Sequence, residues 1–429
     1  MTKSTWRIGV AGLGTVGAGL LNFLSDRPGF APAGGQAVVT GVSARSRSRP
    51  RPFDISNLPW FDDPVALATS PDNDLFVELI GGSDGPAKAA VEAALKAGKP
   101  VVTANKALMA EHGAELAVLA ESMGVPLLFE AAVMGGVPAV KMVREALVGD
   151  EIKSIAGILN GTCNFILSEM DSGGRAFADV LAEAQRLGYA EADPTMDVGG
   201  FDAAHKISIL AALAFGCAPN YAAAEIEGID QIELLDIKLA KDLGYKIKLI
   251  ASADRSDDGV LVRVHPSLVA LNHPLAQAGG ALNALFIEGA RTGRIFVQGP
   301  GAGAGPTAAA VAADIADVMT GAKRPVFQSP AASLTPFTPI DPAKSMGRAY
   351  LRFLVKDEPG VIAAVSETLA EAGVSIESFL QKPVENADGV PIVLTTHAVA
   401  ESVLTTAIDR IANLSSVLDR PRLLRIARI

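Results

Sequence analysis

The order of apolar and polar positions divides this chain into segments with different predicted structures. In the first part, short apolar runs alternate with stretches whose apolar residues have helical spacing. The runs predict strands at 6–11, 37–42, 75–82, 100–106 and 125–130. The stretches predict helices that follow residue 17, lie near 86–97 and end at about 122. This alternation is typical of an α/β fold with a doubly wound parallel sheet, which we expect over 1–130.

The pattern changes after residue 130. A strand, an Asn-Gly turn and a helix are predicted within 152–170, and further strands at 246–253, at 259–266 and in two segments that end at 299. These strands predict a mostly antiparallel or mixed sheet with helices on one face. We therefore expect an α+β domain over 131–300, after which the segment at about 300–325 returns to complete the first domain.

A linker rich in Pro, Ser and Thr, 328–346, precedes the last part of the chain. The pattern over 347–429 is strand, helix, strand, strand, helix, strand, with an Asp-Glu-Pro-Gly turn after the first strand. This order predicts a separate, ferredoxin-like βαββαβ unit.

A glycine-rich turn joins the first predicted strand to the first predicted helix. It reads Gly12-Leu-Gly14-Thr15-Val16-Gly17. This spacing allows a tight turn and brings the backbone close to a pyrophosphate at the helix N-terminus. A purely structural turn is the alternative, but the position between a strand and a helix favours a dinucleotide site in a Rossmann-like domain. We therefore expect these five residues to bind a cofactor: Gly12, Gly14, Thr15, Val16 and Gly17.

The end of the second predicted strand favours one type of nicotinamide cofactor. A site for NAD carries Asp or Glu there, which accepts a hydrogen bond from the ribose 2′-hydroxyl group. Here the chain reads Gly41-Val-Ser-Ala-Arg45, with an arginine and no acid. Because a guanidinium group suits a 2′-phosphate, Arg45 predicts NADP, with NAD as the alternative.

The segment Gly188–Lys206 concentrates carboxylates in a loop rich in Gly, Pro and Asp. Its four acids are Glu191, Asp193, Asp197 and Asp202. Apolar spacing from Asp202 onward predicts a helix, so Asp202 and Lys206 share one helix face near its N-terminus. The segment therefore predicts either a capped helix with a surface ion pair or a catalytic site.

Composition narrows the class of protein. A chain of 429 residues suggests two or three domains, at about 100–200 residues each. A net charge of −10 argues against a nucleic-acid partner, which would favour a basic face. The longest apolar run, 207–218, is shorter than the roughly 18 residues that suggest a membrane span, and no separate apolar signal segment is visible. We therefore expect a cytoplasmic protein without a membrane partner; two cysteines make a disulfide framework unexpected.

Four motifs, in their order along the chain, resemble those of the homoserine dehydrogenase family. They are TANKA at 103–107, NGTCNFIL at 160–167, the segment Gly188–Lys206, and GPGAGAGPTA at 299–308. The resemblance covers nearly the whole chain. It implies NAD(P)-dependent oxidation of L-homoserine to L-aspartate 4-semialdehyde, or the reverse reduction, in threonine, methionine and isoleucine biosynthesis. It also implies that 131–300 binds substrate and forms a dimer.

The resemblance further implies roles for single residues. Lys206 resembles the family's proton-transfer lysine, and we expect Lys106 to act with it in catalysis. Lys106 and Gly188 would line the crevice between cofactor and substrate, and Gly303 would lie near the nicotinamide. The expected substrate-binding residues are Glu191 and Asp202, which resemble the carboxylates that hold the ammonium group, together with Asp197, Tyr189 and Thr162.

Proton transfer by a lysine meets a physical difficulty. A free lysine has a pKa of about 10.4 and is a poor base at neutral pH, although its ammonium form is already the acid that the reduction needs. Contact with Asp202 would raise the pKa of Lys206, whereas burial and a second cation such as Lys106 would lower it. Other candidates are weaker, because His205 does not share the helix face of Lys206 and Cys163 shows no partner that would mark it as a nucleophile.

The segment FEAAVMGGVP at 129–138 resembles the family's site for Na⁺ or another monovalent cation. The ligands carried over by this resemblance are the side chain of Glu130 and the backbone carbonyls of Val133, Gly135 and Val137. Because a singly charged ion with oxygen ligands has little Lewis acidity, we expect a structural metal.

The last unit, with DEPGV at 357–361, resembles an ACT domain, a module that commonly binds amino acids between paired domains. The resemblance implies feedback inhibition by L-threonine in a homodimer or homotetramer. The expected regulatory residues are Asp357, Gly360 and Val361. The alternative is a dimerisation module that binds nothing.

Two rival functions differ in what they require. A catalytically silent sensor of nucleotide and amino acid would use the same two binding modules without turnover. An aspartate-semialdehyde dehydrogenase would need a catalytic cysteine with a histidine, and the sequence shows no such pair.

Overall fold

The computed structural model describes residues 3–27, 30–32, 35–381 and 389–429. Within these ranges, no helix combines the length and apolar character needed to cross a membrane. The first part of the chain forms β1 (Thr5–Ala11), α1 (Thr15–Asp26), β2 (Gln36–Ser43), β3 (Trp60–Phe61), α2 (Pro64–Thr69), β4 (Leu75–Glu78), α3 (Pro86–Lys96), β5 (Val101–Thr103), α4 (Lys106–Ser122) and β6 (Leu127–Leu128).

These six strands form one parallel sheet with the order β3-β2-β1-β4-β5-β6. The predicted doubly wound sheet is therefore confirmed. The strand order reverses between β1 and β4, and the carboxyl ends of strands at such a point border a crevice that binds ligands. Lys106 lies at this edge, because β5 ends at Thr103 and the side chain of Asn105 caps the N-terminus of α4.

The middle of the chain begins with two short irregular turns and then builds a second sheet. Its elements are a 3₁₀ turn (Glu130–Ala132), α5 (Ala139–Lys141), a π-helical turn (Met142–Ala146), β7 (Ile152–Ile158), α6 (Gly161–Gly173), α7 (Phe177–Arg186), α8 (Thr195–Val198), α9 (Phe201–Phe215), β8 (Glu225–Ile226), α10 (Leu234–Asp242), β9 (Tyr245–Ser256), β10 (Gly259–Ala270), α11 (Pro274–Gln277), β11 (Leu282–Gly289) and β12 (Gly293–Pro300). The next helix, α12 (Ala304–Thr320), packs against α1 and so returns the chain to the first domain.

Helix α9 is the central element of the molecule. Every residue from Asp202 to Phe215 is buried. From Ile207 onward the sequence is apolar or small on all faces of the helix, whereas its first turn buries the polar side chains of Asp202, His205 and Lys206. The helix packs on β7, β9 and β10 on one side and against α4 of the first domain on the other. Its N-terminus therefore lies where the two domains meet.

The C-terminal unit has the predicted strand and helix order. It consists of β13 (Met346–Gly347), β14 (Ala349–Val355), α13 (Val361–Glu371), β15 (Ile376–Gln381), β16 (Val390–Thr396), β17 (Val399–Ala400), α14 (Glu401–Ala412) and β18 (Arg422–Ile426). The four long strands lie in the order β18-β14-β16-β15, and each is antiparallel to its neighbour. The βαββαβ pattern is therefore confirmed, with β13 and β17 added as a small extra pair.

This unit shares a sheet with the middle domain, which the composition of the linker did not predict. One ten-stranded sheet runs through both, with the order β12-β11-β7-β9-β10-β18-β14-β16-β15, and β8 pairs with β10 beside this path. The backbone of the linker is hydrogen-bonded to the rest of the protein. The carbonyl oxygen of Thr338 accepts from the amide of Val260 (2.9 Å), and the amide of Ala331 donates to the carboxylate of Glu121 (2.7 Å). A composition rich in Pro, Ser and Thr predicts irregular backbone, but not whether that backbone is free.

Candidate active site

The three glycines of the turn at 12–17 have different surroundings. Gly12 has a φ of 97°, and a Cβ atom there would lie 2.2 Å from the carbonyl oxygen of Leu79. A Cβ atom on Gly17 would lie 2.1 Å from the carbonyl oxygen of Gly12, so this glycine permits the close approach of α1 to the turn. Gly14 caps α1 and has no described atom within 4 Å of its Cβ position. The N-terminus of α1, which Thr15 begins, therefore borders open space, as a pyrophosphate site requires.

A buried carboxylate that the sequence analysis missed fixes the neighbouring loop. Glu78 ends β4, and its Oε1 accepts hydrogen bonds from the backbone amides of Ile80 (2.7 Å) and Gly81 (3.0 Å). The hydroxyl group of Thr103 donates to the other carboxylate oxygen (2.5 Å). Burial raises the pKa of Glu78. An acid at the end of an otherwise apolar strand was the signal that could have identified this residue.

Arg45 is exposed just beyond β2, and it has no hydrogen bond or ion pair with any residue in the described ranges. The loop around it is held by Arg51, which donates to the backbone carbonyls of Arg47 (3.1 Å) and Arg49 (3.0 Å). The guanidinium carbon of Arg51 also lies 5.7 Å from the ring centre of Trp60. Arg51 thus holds the loop together, and the exposed Arg45 is accessible to an anionic ligand.

Asp202 lies between two lysines at the N-terminus of α9. Its Oδ1 is 2.6 Å from Nζ of Lys106, and its Oδ2 is 2.7 Å from Nζ of Lys206. Lys106 belongs to the first domain, so this ion pair crosses the boundary between the domains. The side chains of Asp202 and Lys206 are 6% and 11% exposed, whereas that of Lys106 is 40% exposed. The structure thus brings the two expected catalytic lysines to one carboxylate.

Asn160, for which the sequence predicted only a turn, connects Asp197 and Asp202. Its side-chain amide donates to Asp202 Oδ2 (2.9 Å) and to Asp197 Oδ1 (2.7 Å). Its side-chain oxygen accepts from the backbone amide of Cys163 (2.8 Å), so Asn160 is the N-cap of α6. The predicted Asn-Gly turn is in fact a helix cap, and the same side chain positions both carboxylates.

A backbone carbonyl completes the surroundings of Lys206. Lys206 donates to the carbonyl oxygen of Leu159 (2.8 Å), which also accepts from the side chain of Asn283 (3.0 Å). Gly301 packs on Asn283, since a Cβ atom on Gly301 would lie 2.1 Å from its side-chain carbon. Gly303 follows as the N-cap of α12, with a φ of 117° and its nearest neighbour Pro306 3.6 Å from the Cβ position. The returning turn is therefore tied to the lysine.

The pKa values of the two lysines move in opposite directions. Asp202 raises the pKa of Lys106. Burial lowers the pKa of Lys206, and Lys106 lowers it further against the opposing effect of Asp202. Burial alone would raise the pKa of Asp202, but the two ammonium groups hold it well below its usual range. Lys106 is thus a firm cation, and Lys206 is the lysine that gives up a proton more easily.

The remaining expected substrate-binding residues lie in the loop before α9 and on α6. The hydroxyl group of Thr162 donates to the carbonyl oxygen of Tyr189 (2.7 Å). Glu191 is exposed, and its carboxylate lies near enough to Lys106 to help raise that pKa. Gly188 has a φ of 78° with no described atom within 4 Å of its Cβ position. Tyr189 and Glu191 are thus exposed to solvent, whereas Thr162 and Asp202 are buried.

The expected cation segment carries an all-oxygen donor set. Glu130 is 2% exposed, and two backbone amides of α5 donate to its carboxylate (3.1 and 2.7 Å). Burial and Asp314 raise the pKa of Glu130 to about 7. Among the described residues, no donor reaches the carbonyls of Val133 and Gly135, whereas that of Val137 accepts one backbone hydrogen bond (2.7 Å). A buried carboxylate beside a second acid and unpaired carbonyls suits a hard cation.

Two other reactive residues near the centre have different partners. His205 lies 3.3 Å from Glu111 and stacks on Tyr221 with a centroid distance of 4.2 Å, and burial lowers its pKa. The thiol of Cys163 donates to the carbonyl oxygen of Asp197 (3.1 Å), and burial raises its pKa well above the ordinary value. Neither side chain is arranged as a nucleophile or a free base.

The three expected regulatory residues form one turn between β14 and α13. Asp357 is exposed, Gly360 is the N-cap of α13 with a φ of 91°, and Val361 is the buried first residue of that helix. Only glycine adopts this backbone conformation readily, so the turn requires a glycine at position 360. The turn therefore begins α13, as the DEPGV motif predicts.

Fold and site together define a class of protein. A doubly wound sheet presents a glycine turn at a helix N-terminus, and a second domain brings a carboxylate and a lysine of lowered pKa to the same crevice. This is the arrangement of an oxidoreductase that uses a nicotinamide nucleotide.

Comparison with known proteins identifies the family. The family model for homoserine dehydrogenase matches residues 138–316, that for the homoserine dehydrogenase NAD binding domain matches 12–130, and that for the ACT domain matches 349–416. Homoserine dehydrogenase of Pseudomonas aeruginosa is 44% identical over 421 residues, 96% of each chain. The chain belongs to the homoserine dehydrogenase family, and the resemblance found in the sequence is confirmed.

Solved structures agree in fold. The crystal structure of a homoserine dehydrogenase from Thiobacillus denitrificans has a TM-score of 0.93 and 39% identity, over 100% of this chain and 99% of that one. A hyperthermophilic archaeal homoserine dehydrogenase in complex with NADPH has a TM-score of 0.65 and 26% identity, over 75% of this chain and 99% of that one.

Proposed function

We propose that this chain interconverts L-aspartate 4-semialdehyde and L-homoserine, with NADPH as the preferred reductant. The observation that carries the proposal is Asp202, held between Lys206 and Lys106, which lies at the carboxyl edge of the parallel sheet. A buried carboxylate suits the ammonium group of an amino acid, and a lysine of lowered pKa suits proton transfer. Membership of the homoserine dehydrogenase family supports this substrate.

When bound, a nicotinamide supplies the hydride for C4 of the semialdehyde or accepts it from C4 of homoserine. In the reduction, Lys206 donates a proton to the developing alkoxide oxygen, and burial makes its ammonium form a stronger acid. Lys106 keeps its charge beside Asp202 and stabilises the negative oxygen. In the oxidation, neutral Lys206 accepts the hydroxyl proton, so the lowered pKa serves both directions.

Substrate binding changes the balance around Lys206. The ammonium group of the substrate binds Asp202 and Glu191, in competition with the lysines that hold Asp202 in the free protein. The carboxylate of Asp202 raises the pKa of Lys206. A substrate ammonium group that binds Asp202 partly neutralises this carboxylate and so lowers the pKa of Lys206 further. Three further residues, Asp197, Tyr189 and Thr162, form the walls of the proposed substrate site. The lysine is therefore most ready to transfer a proton when substrate is present.

The direct test is an assay of NADPH oxidation with L-aspartate 4-semialdehyde, with NADH measured in parallel and L-homoserine used for the reverse reaction. We expect turnover in both directions and a higher kcat/KM with NADPH. Binding of nucleotide and amino acid without any turnover would instead support a sensor without catalysis.

The preference for NADPH rests on Arg45, which is exposed at the end of β2 without a partner in the described ranges. Arg45→Ala should lower kcat/KM with NADPH by about tenfold or more, the size of a lost hydrogen bond to a charged group, and leave the NADH value unchanged. Arg49→Ala is the matched control in the same loop. A wild-type enzyme with the higher kcat/KM for NADH would contradict the assignment.

A structural monovalent cation, Na⁺ as the first candidate, is proposed for Glu130 and the carbonyls of Val133, Gly135 and Val137. Its binding should raise the unfolding temperature in NaCl above that in choline chloride of equal ionic strength. Glu130→Gln should abolish this difference; a difference that survives the substitution would remove Glu130 from the site.

The C-terminal unit is proposed to bind L-threonine and to inhibit the enzyme within a homodimer or homotetramer. Deleting the unit is a poor test, because β18 belongs to the same sheet as β10. A better test is Asp357→Ala, which should raise the L-threonine concentration needed for half inhibition. A wild-type enzyme that L-threonine does not inhibit would leave the unit with an assembly role.

A further inference from the structure

Two strands, β8 and β18, share one edge of β10. β8 pairs in parallel with Arg263 and Val264, and β18 pairs in parallel with Ser267 and Leu268. The last strand of the C-terminal unit and a strand of the substrate domain therefore lie end to end along β10. This arrangement places Arg425 of β18 near the segment that follows β8.

Arg425 is the link between the two strands. Its Nη1 donates to Oε2 of Glu227 (2.7 Å), and its Nε donates to Oε1 of Glu401 (3.0 Å). The Arg425 side chain is 17% exposed, and although burial would lower its pKa, Glu401 and Glu227 raise it, so the charge is permanent. Glu227 thus has a fixed cation from the C-terminal unit at its side chain.

The backbone on both sides of Glu227 reaches the active-site loop. The amide of Glu227 donates to the carbonyl of Val264 in β10 (2.8 Å), and the amide of Ile229 donates to the carbonyl of Val198 (2.8 Å). Between them, a Cβ atom on Gly228 would lie 2.4 Å from the same Val198 oxygen. Gly228 and the carbonyl group of Val198 are therefore closely packed, so a shift of the segment 227–229 also displaces Val198.

Val198 lies directly after Asp197 and just before the start of α9. Asp197 and Asp202 are both held by the side chain of Asn160. The N-cap of α9, Gly200, has a φ of 84° and no side-chain hydrogen bond, and its Cβ position is 3.2 Å from Val264. The start of α9 therefore depends on outside packing, which β10 and the segment after β8 supply.

We propose that Glu227 is a positioning residue for the substrate site, and that the C-terminal unit sets substrate affinity through the Arg425–Glu227 ion pair. Arg425 fixes the segment 225–229, and this segment fixes the end of α8 and the start of α9, which carry Asp197 and Asp202. The proposal rests on the proposed function in one respect, since it takes these carboxylates as substrate ligands. Lys206 has its own anchor at Leu159, so the effect falls on binding rather than on proton transfer.

The test compares Glu227→Gln with Glu233→Gln in the full-length protein. Glu233 is the matched control, because it also binds an arginine of the C-terminal unit, Arg352 (2.9 Å), and is similarly exposed, but it caps α10 rather than touching the active-site loop. Glu227→Gln should raise KM for L-aspartate 4-semialdehyde by about threefold to tenfold, with kcat and KM for NADPH within about twofold of wild type. Glu233→Gln should leave all three values unchanged.

Arg425→Lys is the second variant and covers the case in which Glu227→Gln folds poorly. It keeps the charge but loses the two-pronged guanidinium geometry, so KM should rise by less than in Glu227→Gln. The double variant should be no worse than Glu227→Gln alone if both act through one ion pair. Unchanged KM in Glu227→Gln, or an equal rise in Glu233→Gln, overturns the proposal.

Calorimetry of L-homoserine binding to the NADP complex separates this proposal from the proposed function. A wild-type protein that binds L-homoserine without turnover would contradict the function, while the weaker binding of Glu227→Gln would still support the positioning role. Normal turnover with equal L-homoserine affinity in wild type and Glu227→Gln would reject the positioning role alone.

Discussion

Two carboxylates of this protein, Asp202 and Glu401, each lie between two basic side chains, and the identity of the bases separates their roles. Asp202 binds Lys106 and Lys206 at the boundary of the nucleotide and substrate domains. Only one of the two lysine charges is adjustable, since burial lowers the pKa of Lys206 whereas Asp202 raises that of Lys106. The result is a centre in which a proton can move.

Glu401 has the same arrangement with arginines. It binds Arg263 (2.6 Å) and Arg425 (3.0 Å) where the C-terminal unit joins the sheet. Guanidinium groups stay charged and bind in a fixed geometry, so this centre holds two units together without exchanging protons. A carboxylate between two cations therefore has a different role with lysines, whose protons can be exchanged, than with arginines, whose charge is fixed.

The largest expected effect is that of Lys206→Ala. Loss of the proton-transfer group should lower kcat by about 10²–10⁴-fold while the protein stays folded. Lys206→Arg should be nearly as inactive, because it keeps the charge but holds its proton too firmly. Steady-state kinetics in both directions measures this. A variant that retains more than about a tenth of wild-type kcat would show that Lys206 does not transfer the proton.

Glu401→Gln should affect stability rather than chemistry. It leaves two mostly buried guanidinium groups without their shared carboxylate and should lower the free energy of unfolding by about 3 kcal/mol. Glu371→Gln removes an exposed ion pair with Arg410 and should cost less than about 1 kcal/mol. Urea denaturation followed by circular dichroism measures both. Equal losses in the two variants would mean that burial of the Glu401 centre contributes little.

The smallest effect is a shift in pH dependence. In the proposed reduction the ammonium form of Lys206 is the acid, so kcat should fall as pH rises through its pKa, which lies below the ordinary 10.5. Asp202 raises that pKa, so Asp202→Asn should move the falling limb to lower pH. Lys106→Met should move it the opposite way, because Lys106 lowers the pKa. A limb that stays in place in both variants would assign the titration to another group.

Local patterns predicted the elements and one half of the site. Helical spacing from Asp202 placed Lys206 on the same face, and the structure has the ion pair at 2.7 Å. The contact of Lys106 with Asp202 depends on how α4 packs on α9, which no local pattern contains. For the same reason Asn160, predicted only as part of a turn, could not be assigned its hydrogen bonds to both carboxylates.

The domain pattern was similarly predictable only within each unit. Strand and helix order over 347–429 predicted βαββαβ, but pairing between β10 and β18 joins residues far apart in the chain and involves few of them. The linker rich in Pro, Ser and Thr predicted a separate unit, and its composition gave no sign of the ion pairs Arg263–Glu401 and Arg425–Glu227, which link that unit to the middle domain. Long-range pairing depends on the whole fold and not on composition.

The shared edge of β10 also has a consequence for biosynthesis. During synthesis β10 leaves the ribosome before the C-terminal unit is made. The backbone of Ser267 and Leu268 therefore stays unpaired on the β18 side until β18 is complete. Unpaired strand edges in nascent chains recruit other chains and lead to aggregation. Changes that slow the completion of the C-terminal unit will therefore reduce the yield of folded enzyme before they touch its catalysis.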